Sequence, residues 1–149
     1  MRMRVIAPAA LCFAALMTTT EADAWCVTVL EANLRKGPGT NYEKSWEVYK
    51  YMPFQKIGQK GDWYQVRDLD GDEHWIHSTL VTNKMRCAAV KVDSANARRG
   101  PGTKHETLFA TPMAKYYSLK VLEIRGDWVR VEDAESNKGW VYRPLVWIQ

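Results

Sequence analysis

Cysteine and long apolar runs are both scarce in this sequence, and neither sign of charge dominates it. Only 3 cysteines occur in 149 residues, which rules out a disulfide-dense scaffold. The longest apolar stretch, Val5 to Met17, has 13 members, too few to cross a bilayer of about 30 Å as a helix. No other segment is apolar for long enough to anchor the chain, so no stable membrane anchor is expected. Lys and Arg number 21 against 17 Asp and Glu, a net charge of +4. That surplus favours anionic polymers weakly but is not the dense basic patch of a dedicated nucleic-acid binder. An amphipathic helix of three turns is missing throughout. Neither Gly-Pro-Gly segment, at 37–39 and 100–102, leads into the Lys-Ser or Lys-Thr helix start of a phosphate loop. What remains is an ordinary apolar share of 46%, which excludes wholesale disorder.

The first segment reads as an address. Arg2 and Arg4 form a basic start, Val5 to Met17 an apolar core, and Ala22-Asp23-Ala24 a small-x-small cleavage site. A cut after Ala24 predicts an exported chain, periplasmic or secreted, that begins at Trp25. Cys12 leaves with the leader. Cys26 and Cys87 remain, and in an oxidising compartment two cysteines most simply form one disulfide. Trp25 ahead of Cys26 is too bulky for a lipoprotein signal.

The remainder repeats itself at a separation of 63 to 65 residues. Ala32-Asn33-Leu34-Arg35-Lys36-Gly37-Pro38-Gly39-Thr40 returns as Ala95-Asn96-Ala97-Arg98-Arg99-Gly100-Pro101-Gly102-Thr103. Gly61-Asp62-Trp63 returns as Gly126-Asp127-Trp128, and Trp75 to Val81 as Trp140 to Val146. Three blocks in one order define two units of about 60 residues, well below the usual size of a domain, with Asn83 to Arg86 as the connection. Both units read as strands. Cys26 to Leu30 and Cys87 to Val92 are short apolar runs, while Trp63 to Arg67 and Trp128 to Glu132 alternate in character. Turn chemistry at Gly-Pro-Gly, Asp70-Gly71-Asp72 and Ser136-Asn137-Lys138-Gly139 separates them. Strands this short and this frequent predict a small barrel.

These residues resemble the bacterial SH3-like family. Asn-x-Arg-x-Gly-Pro-x-Thr, then Gly-x-Trp-x-x-Val, then Gly-Trp-Val occurs once per repeat, with two departures: Glu73-His74-Trp75 at the close of the first copy and Ala97 in the second. The resemblance implies an all-β chain of two tandem small SH3-like barrels, over 25–83 and 84–149, after a signal peptide over 1–24. It also implies a module that binds peptides or cell-wall glycopeptide. On that reading the Cys26–Cys87 bond closes the first barrel, a loop of about 60 residues worth roughly 4 kcal/mol by chain entropy.

Enzyme chemistry finds little support. Cys26 and Cys87 are expected in the disulfide and not in a catalytic setting, and no catalytic domain is expected beside the two units, whose last motif ends at Val146. A small cell-wall hydrolase is the third-ranked reading. His74 and His77 stand three apart on an expected strand, hence on opposite faces, and no metal or cofactor is expected. The acidic run Asp68 to Glu73 reads as a solvated turn. Aromatics are the notable surplus: 7 Trp and 7 Tyr. Strand parity sends Trp63 and Trp128 outward, and Trp140 with Tyr142. The predicted ligand-binding set is Arg35, Tyr42, Trp63, Arg98, Trp128 and Tyr142: rings for stacking, and arginines near a peptide carboxylate or a loop carbonyl. The expected partner is a peptidoglycan stem peptide. The alternative is an envelope protein, such as an enzyme or secretion component, on which the module docks.

Overall fold

The computed structural model describes residues 23–149. The expected leader therefore lies outside the described residues, except for Asp23 and Ala24, which open the first strand. Every regular element is a strand or a single 3-10 turn. The first unit contains β1 (Asp23–Val27), β2 (Glu31–Arg35), β3 (Lys44–Tyr49), β4 (Pro53–Lys60), β5 (Trp63–Arg67), β6 (Glu73–His77) and β7 (Val81–Thr82). The second contains β8 (Cys87–Val90), β9 (Ser94–Ala95), β10 (Met113–Ala114), β11 (Ser118–Arg125), β12 (Trp128–Glu132), β13 (Lys138–Tyr142) and β14 (Val146–Ile148).

All pairing is antiparallel, and the first sheet runs β3-β2-β6-β5-β4-β1-β7. The second runs β13-β12-β11-β8-β14, with β9 and β10 paired separately. Neither ladder closes on itself, so each unit is a curled, open form of the small barrel. The repeat persists in detail. Arg35 pairs with Trp75, and Arg98 bridges Trp140. Each β4–β5-type hairpin turns through two residues, Gly61-Asp62 or Gly126-Asp127, with glycine φ at 58° in both. A positive φ at the first central position is what a two-residue hairpin of this kind requires, and glycine supplies it without strain.

Tyr51 and Tyr116 also share a conformation, with φ of 73° and 72°. For a bulky side chain this is an unfavourable region. The Tyr51 amide donates to Val27 and the Tyr116 amide to Val90, each at 2.8 Å, which pins the corner before β4 and before β11. Both rings project to the contact between the units.

That contact is built by β8. All four of its residues are buried. Ala88 and Val90 face the second core, with Leu119, Val129, Val131 and Val141. Ala89 faces the first core instead, with Val27, Leu34, Phe54, Val66 and Ile76. Alternation along a strand therefore presents Cys87 and Ala89 to one unit and Ala88 and Val90 to the other. Small side chains let the two layers approach.

Cys26 and Cys87 are bonded, with Cα atoms 6.0 Å apart, as the cysteine count implied. The bond encloses the first unit, since Cys87 follows β7, and because Cys87 also opens β8 it staples the first strand of one half to the first strand of the other. Two expectations shift. Leu30 lies beyond β1 and is 70% exposed, because β1 begins earlier and ends at Val27. The acidic turn after β5 is not wholly solvated: Asp68 is 5% exposed and organises the turn. Its Oδ1 accepts the amides of Asp70 and Asp72 at 3.0 and 2.9 Å, and its Oδ2 lies 3.0 Å from His74 Nε2. Ser45 Oγ stands 2.8 Å from the other ring nitrogen. Asp133 holds the equivalent turn through the amides of Glu135 and Asn137.

Polar groups also cross the contact. Asp70 of the first half accepts from Lys115 at 2.9 Å and from the Tyr116 hydroxyl, and the Ser118 hydroxyl donates to the Lys50 carbonyl at 2.8 Å. Trp46 meets Tyr116 edge to face, centroids 4.9 Å apart. The hydrogen bond from Tyr116, then that from Lys115, holds the Asp70 carboxyl below its ordinary 3.8. A lowered folded-state pKa gives a contribution that is present above the unfolded value and lost as pH falls through the folded one. Asp70→Asn is thus expected to lower Tm near neutrality, with the difference from the parent protein shrinking as pH falls through the carboxyl's lowered folded-state pKa. Thermal melts across that range check it.

Candidate functional site

Each unit carries a shallow groove, and the two are built from equivalent positions. In the first, β2 contributes Ala32, Asn33 and Arg35, the following turn Thr40, β5 Trp63, the β6 end His77 and the 3-10 turn after it Leu80, around about 340 Å³. In the second, Ala95, Asn96, Arg98, Thr103, Trp128, Tyr142 and Leu145 surround about 530 Å³.

Local chemistry explains both walls. Antiparallel register sets Trp63 directly opposite His77, and Trp128 opposite Tyr142. Directly opposed side chains share a face of the sheet. The Trp63 and His77 rings meet edge to face at 5.3 Å, and those of Trp128 and Tyr142 are tilted by 49° at 5.7 Å. His77 is further fixed by the Thr79 hydroxyl, 2.7 Å from Nδ1. The opposite wall is the Gly-Pro-Gly turn. Arg35 donates from Nη1 to the Tyr42 carbonyl at 2.9 Å, and Arg98 to the His105 carbonyl at 2.9 Å. One nitrogen of each guanidinium thus holds the turn, while the side chain also lines the groove. Tyr42 lays its ring against Gly37, where a Cβ would collide with it, and His105 does the same at Gly100. Only glycine tolerates that approach.

Of the predicted ligand set, the structure brings Arg35 together with Trp63, and Arg98 together with Trp128 and Tyr142. Tyr42 stands apart: its ring supports the turn and is absent from the groove walls. Trp140, expected outward beside Tyr142, does lie opposite the Val141 face but is only 8% exposed. The Arg125 guanidinium covers it, 4.9 Å from the ring centroid. Sequence reasoning passed over Asn33, Asn96, Thr40, Thr103, His77, Leu80 and Leu145 as groove residues. The signal was available, since all lie at matched places inside the repeated blocks.

The grooves differ in charge. The first contains Glu31, Arg35 and His77, whereas Arg98 is the sole charged side chain among the residues lining the second. An anionic ligand group therefore meets a compensated site in one half and an uncompensated cation in the other. Among the described residues no group of three His, Cys, Asp or Glu is arranged to hold a metal ion. Also among them, no helix is long and apolar enough to cross a membrane.

Two curled β-units in tandem, each with an aromatic and arginine-edged groove, define a protein of SH3-like type. The chain belongs to the bacterial SH3 domain family: the family model matches it twice, over residues 28–83 and 91–147. YrvJ of Bacillus subtilis (strain 168), whose name assigns it as an N-acetylmuramoyl-L-alanine amidase, is 28% identical over 121 residues. That match covers 74% of this chain and 23% of YrvJ. LytH of Staphylococcus aureus, named as a cell wall amidase, is 27% identical over 118 residues, covering 70% of this chain and 40% of LytH. The chain thus spans well under half the length of these relatives. Among solved structures, an NlpC/P60 family protein from Bacillus cereus ATCC 10987 is 13% identical at a TM-score of 0.39, covering 85% of this chain and 56% of its own. The structure titled endolysin LysPBC5 CBD is 16% identical at a TM-score of 0.33, covering 87% of this chain and 96% of its own.

Proposed function

We propose that this is an exported, non-catalytic binding protein that recognises peptidoglycan stem peptides or cross-bridges through its two grooves. The observation that carries the reading is the repetition of one groove at equivalent positions in both halves. Sequence divergence between the copies elsewhere is extensive, yet the Trp, Arg, Asn and Thr positions of the walls recur. The relatives named as wall amidases share this part of their length, which supports the wall as the setting and the present chain as the binding portion. Trp63 against His77, and Trp128 against Tyr142, offer flat apolar faces to a peptide backbone. Arg35 and Arg98 stand where a peptide carboxylate would reach them. Two weak sites on one chain gain avidity on a repetitive polymer.

Titration of the oxidised protein with soluble muropeptides, followed by calorimetry, tests the residue assignment. Trp63→Ala and Trp128→Ala are each expected to weaken one class of site, with about tenfold weaker binding at the altered groove, equivalent to about 1.4 kcal/mol. Trp128→Ala has the larger effect on carboxylate-bearing peptides, because Arg98 has no acidic neighbour in its groove. Both variants keep the parent Tm, since both rings are partly exposed. Unchanged binding in the folded double variant would remove the grooves from the account. Loss of binding to an envelope protein, with muropeptide binding absent from the start, would favour docking on a protein partner.

A further inference from the structure

A third concavity lies between the halves and shares only Glu31 with the first groove. Its main lobe encloses about 390 Å³, and Leu30, Tyr49, Tyr116, Tyr117, Glu31 and Glu135 are among its walls. A second lobe of about 330 Å³ shares the three tyrosines and extends to Trp46. Leu30, Tyr49 and Tyr117 are exposed by 70%, 55% and 38%, a concentration of apolar surface that a soluble fold rarely leaves bare. Two of the rings are rigidly presented. The Tyr116 hydroxyl donates to Asp70, and the Tyr117 hydroxyl to Asp133 at 3.3 Å. With those hydroxyls engaged inside the protein, the cleft is offered aromatic faces.

Charge decides what those faces suit. Both cations of the cleft are already placed: Lys115 is paired with Asp70 at 2.9 Å and lies over the Tyr116 ring, 5.0 Å from its centroid, and Lys50 Nζ sits over the Tyr51 ring, also at 5.0 Å, which leaves the Tyr49 and Tyr117 rings without a cation among the described residues. Glu47 in the second lobe is paired with Lys44 at 2.6 Å. Glu31 and Glu135 take part in no salt bridge among the described residues. In a chain of net charge +4, two uncompensated carboxylates therefore flank two aromatic rings that no cation of the described residues covers, Tyr49 and Tyr117. Aromatic faces carry negative potential and attract cations, and ammonium-binding cages combine them with nearby acids.

We propose that the cleft between the two halves is a binding site for a primary ammonium group carried on a peptide, held by Tyr49 and Tyr117 with Glu31 and Glu135 as counter-charges. Glu31 borders both this cleft and the first groove. One peptide can therefore lie in the groove and place its amine in the cleft. The inference goes beyond wall-peptide recognition by the grooves and does not require it.

The test uses an N-acetylated, C-amidated alanine–lysine–alanine peptide and the same peptide acetylated on its lysine, titrated into the oxidised protein by two-dimensional NMR. The free amine is expected to shift the amides of Tyr49, Tyr117 and Glu135 saturably. Acetylation, which removes the charge, should weaken binding at least tenfold. Tyr49→Ala and Glu135→Gln, both at exposed positions, should each weaken it about fivefold and leave Tm unchanged, whereas Trp128→Ala should have no effect. Equal binding of the acetylated peptide would overturn the proposal. So would cleft shifts produced by a neutral chitin oligosaccharide but not by the lysine peptide. Loss of binding in Trp128→Ala would return the effect to the grooves.

Discussion

Replacing both bonded cysteines, Cys26→Ser with Cys87→Ser, is expected to lower stability by about 4 kcal/mol and Tm by on the order of 15 °C. The bond closes a loop of 61 residues, and the chain-entropy model assigns that closure most of the loss. A protein of this size has total stability of about 5–15 kcal/mol, so the variant is left near the lower limit of folding at physiological temperature. The structure adds a second consequence. Because Cys87 opens β8 and Ala89 of that strand enters the first core, the bond holds the two halves in register. Reduction should therefore raise hydrogen exchange along β8 and at the Tyr116–Asp70 contact before it affects β5 or β12. Equal Tm values for oxidised and reduced protein would contradict the account. So would exchange confined to the first half, which is the pattern for a bond that merely closes one unit.

Asp68→Ala is expected to cost about 3 kcal/mol, and Asp68→Asn about 1 kcal/mol. The carboxylate serves three partners at once: two backbone amides of the β5–β6 turn and the His74 ring. Alanine leaves all three without it in a place that is nearly dry. Asparagine keeps an oxygen for the amides and sacrifices only the contact with the imidazole. Hydrogen bonds to charged acceptors are worth roughly 1.5–3 kcal/mol each, and partial access of water to the turn offsets part of the sum. Chemical denaturation of the three proteins gives the values directly. Similar losses for both substitutions would mean that the charge, and not the turn geometry, matters at this position.

Much of the architecture was legible because repetition is a strong signal. Matched Gly-Pro-Gly, Gly-Asp-Trp and Trp-to-Val blocks carried both units, and the alternation of Trp128 to Glu132 placed Val129 and Val131 in a core where the structure has them. Pairing of the two cysteines followed from their number. Its meaning did not, because nothing local reveals that β8 lies between two cores. Only the opposed faces of Cys87-Ala88-Ala89-Val90 record it, and four small apolar residues show no polarity contrast to read. Asp68 was misplaced for a related reason: an acid within an acidic run looks solvated until its partners fold back onto it. Parity correctly turned Trp140 away from the Val141 face, but it could not show Arg125 lying over the ring. The groove residues divide the same way. Trp63 with His77 and Trp128 with Tyr142 follow from strand register, whereas the withdrawal of Tyr42 to support Gly37 depends on the path of the turn. The cleft between the halves was invisible, since Leu30, Tyr49, Tyr117 and Glu135 meet only through the left-handed corners at Tyr51 and Tyr116.

Recognition of the cell wall by the paired grooves is tested most directly by co-sedimentation of the oxidised protein with purified peptidoglycan sacculi. Saturable pelleting that soluble muropeptides compete away is expected, with affinity lower by about two orders of magnitude when Trp63 and Trp128 are both alanine. A folded protein that stays in the supernatant, or a double variant that pellets like its parent, would contradict it.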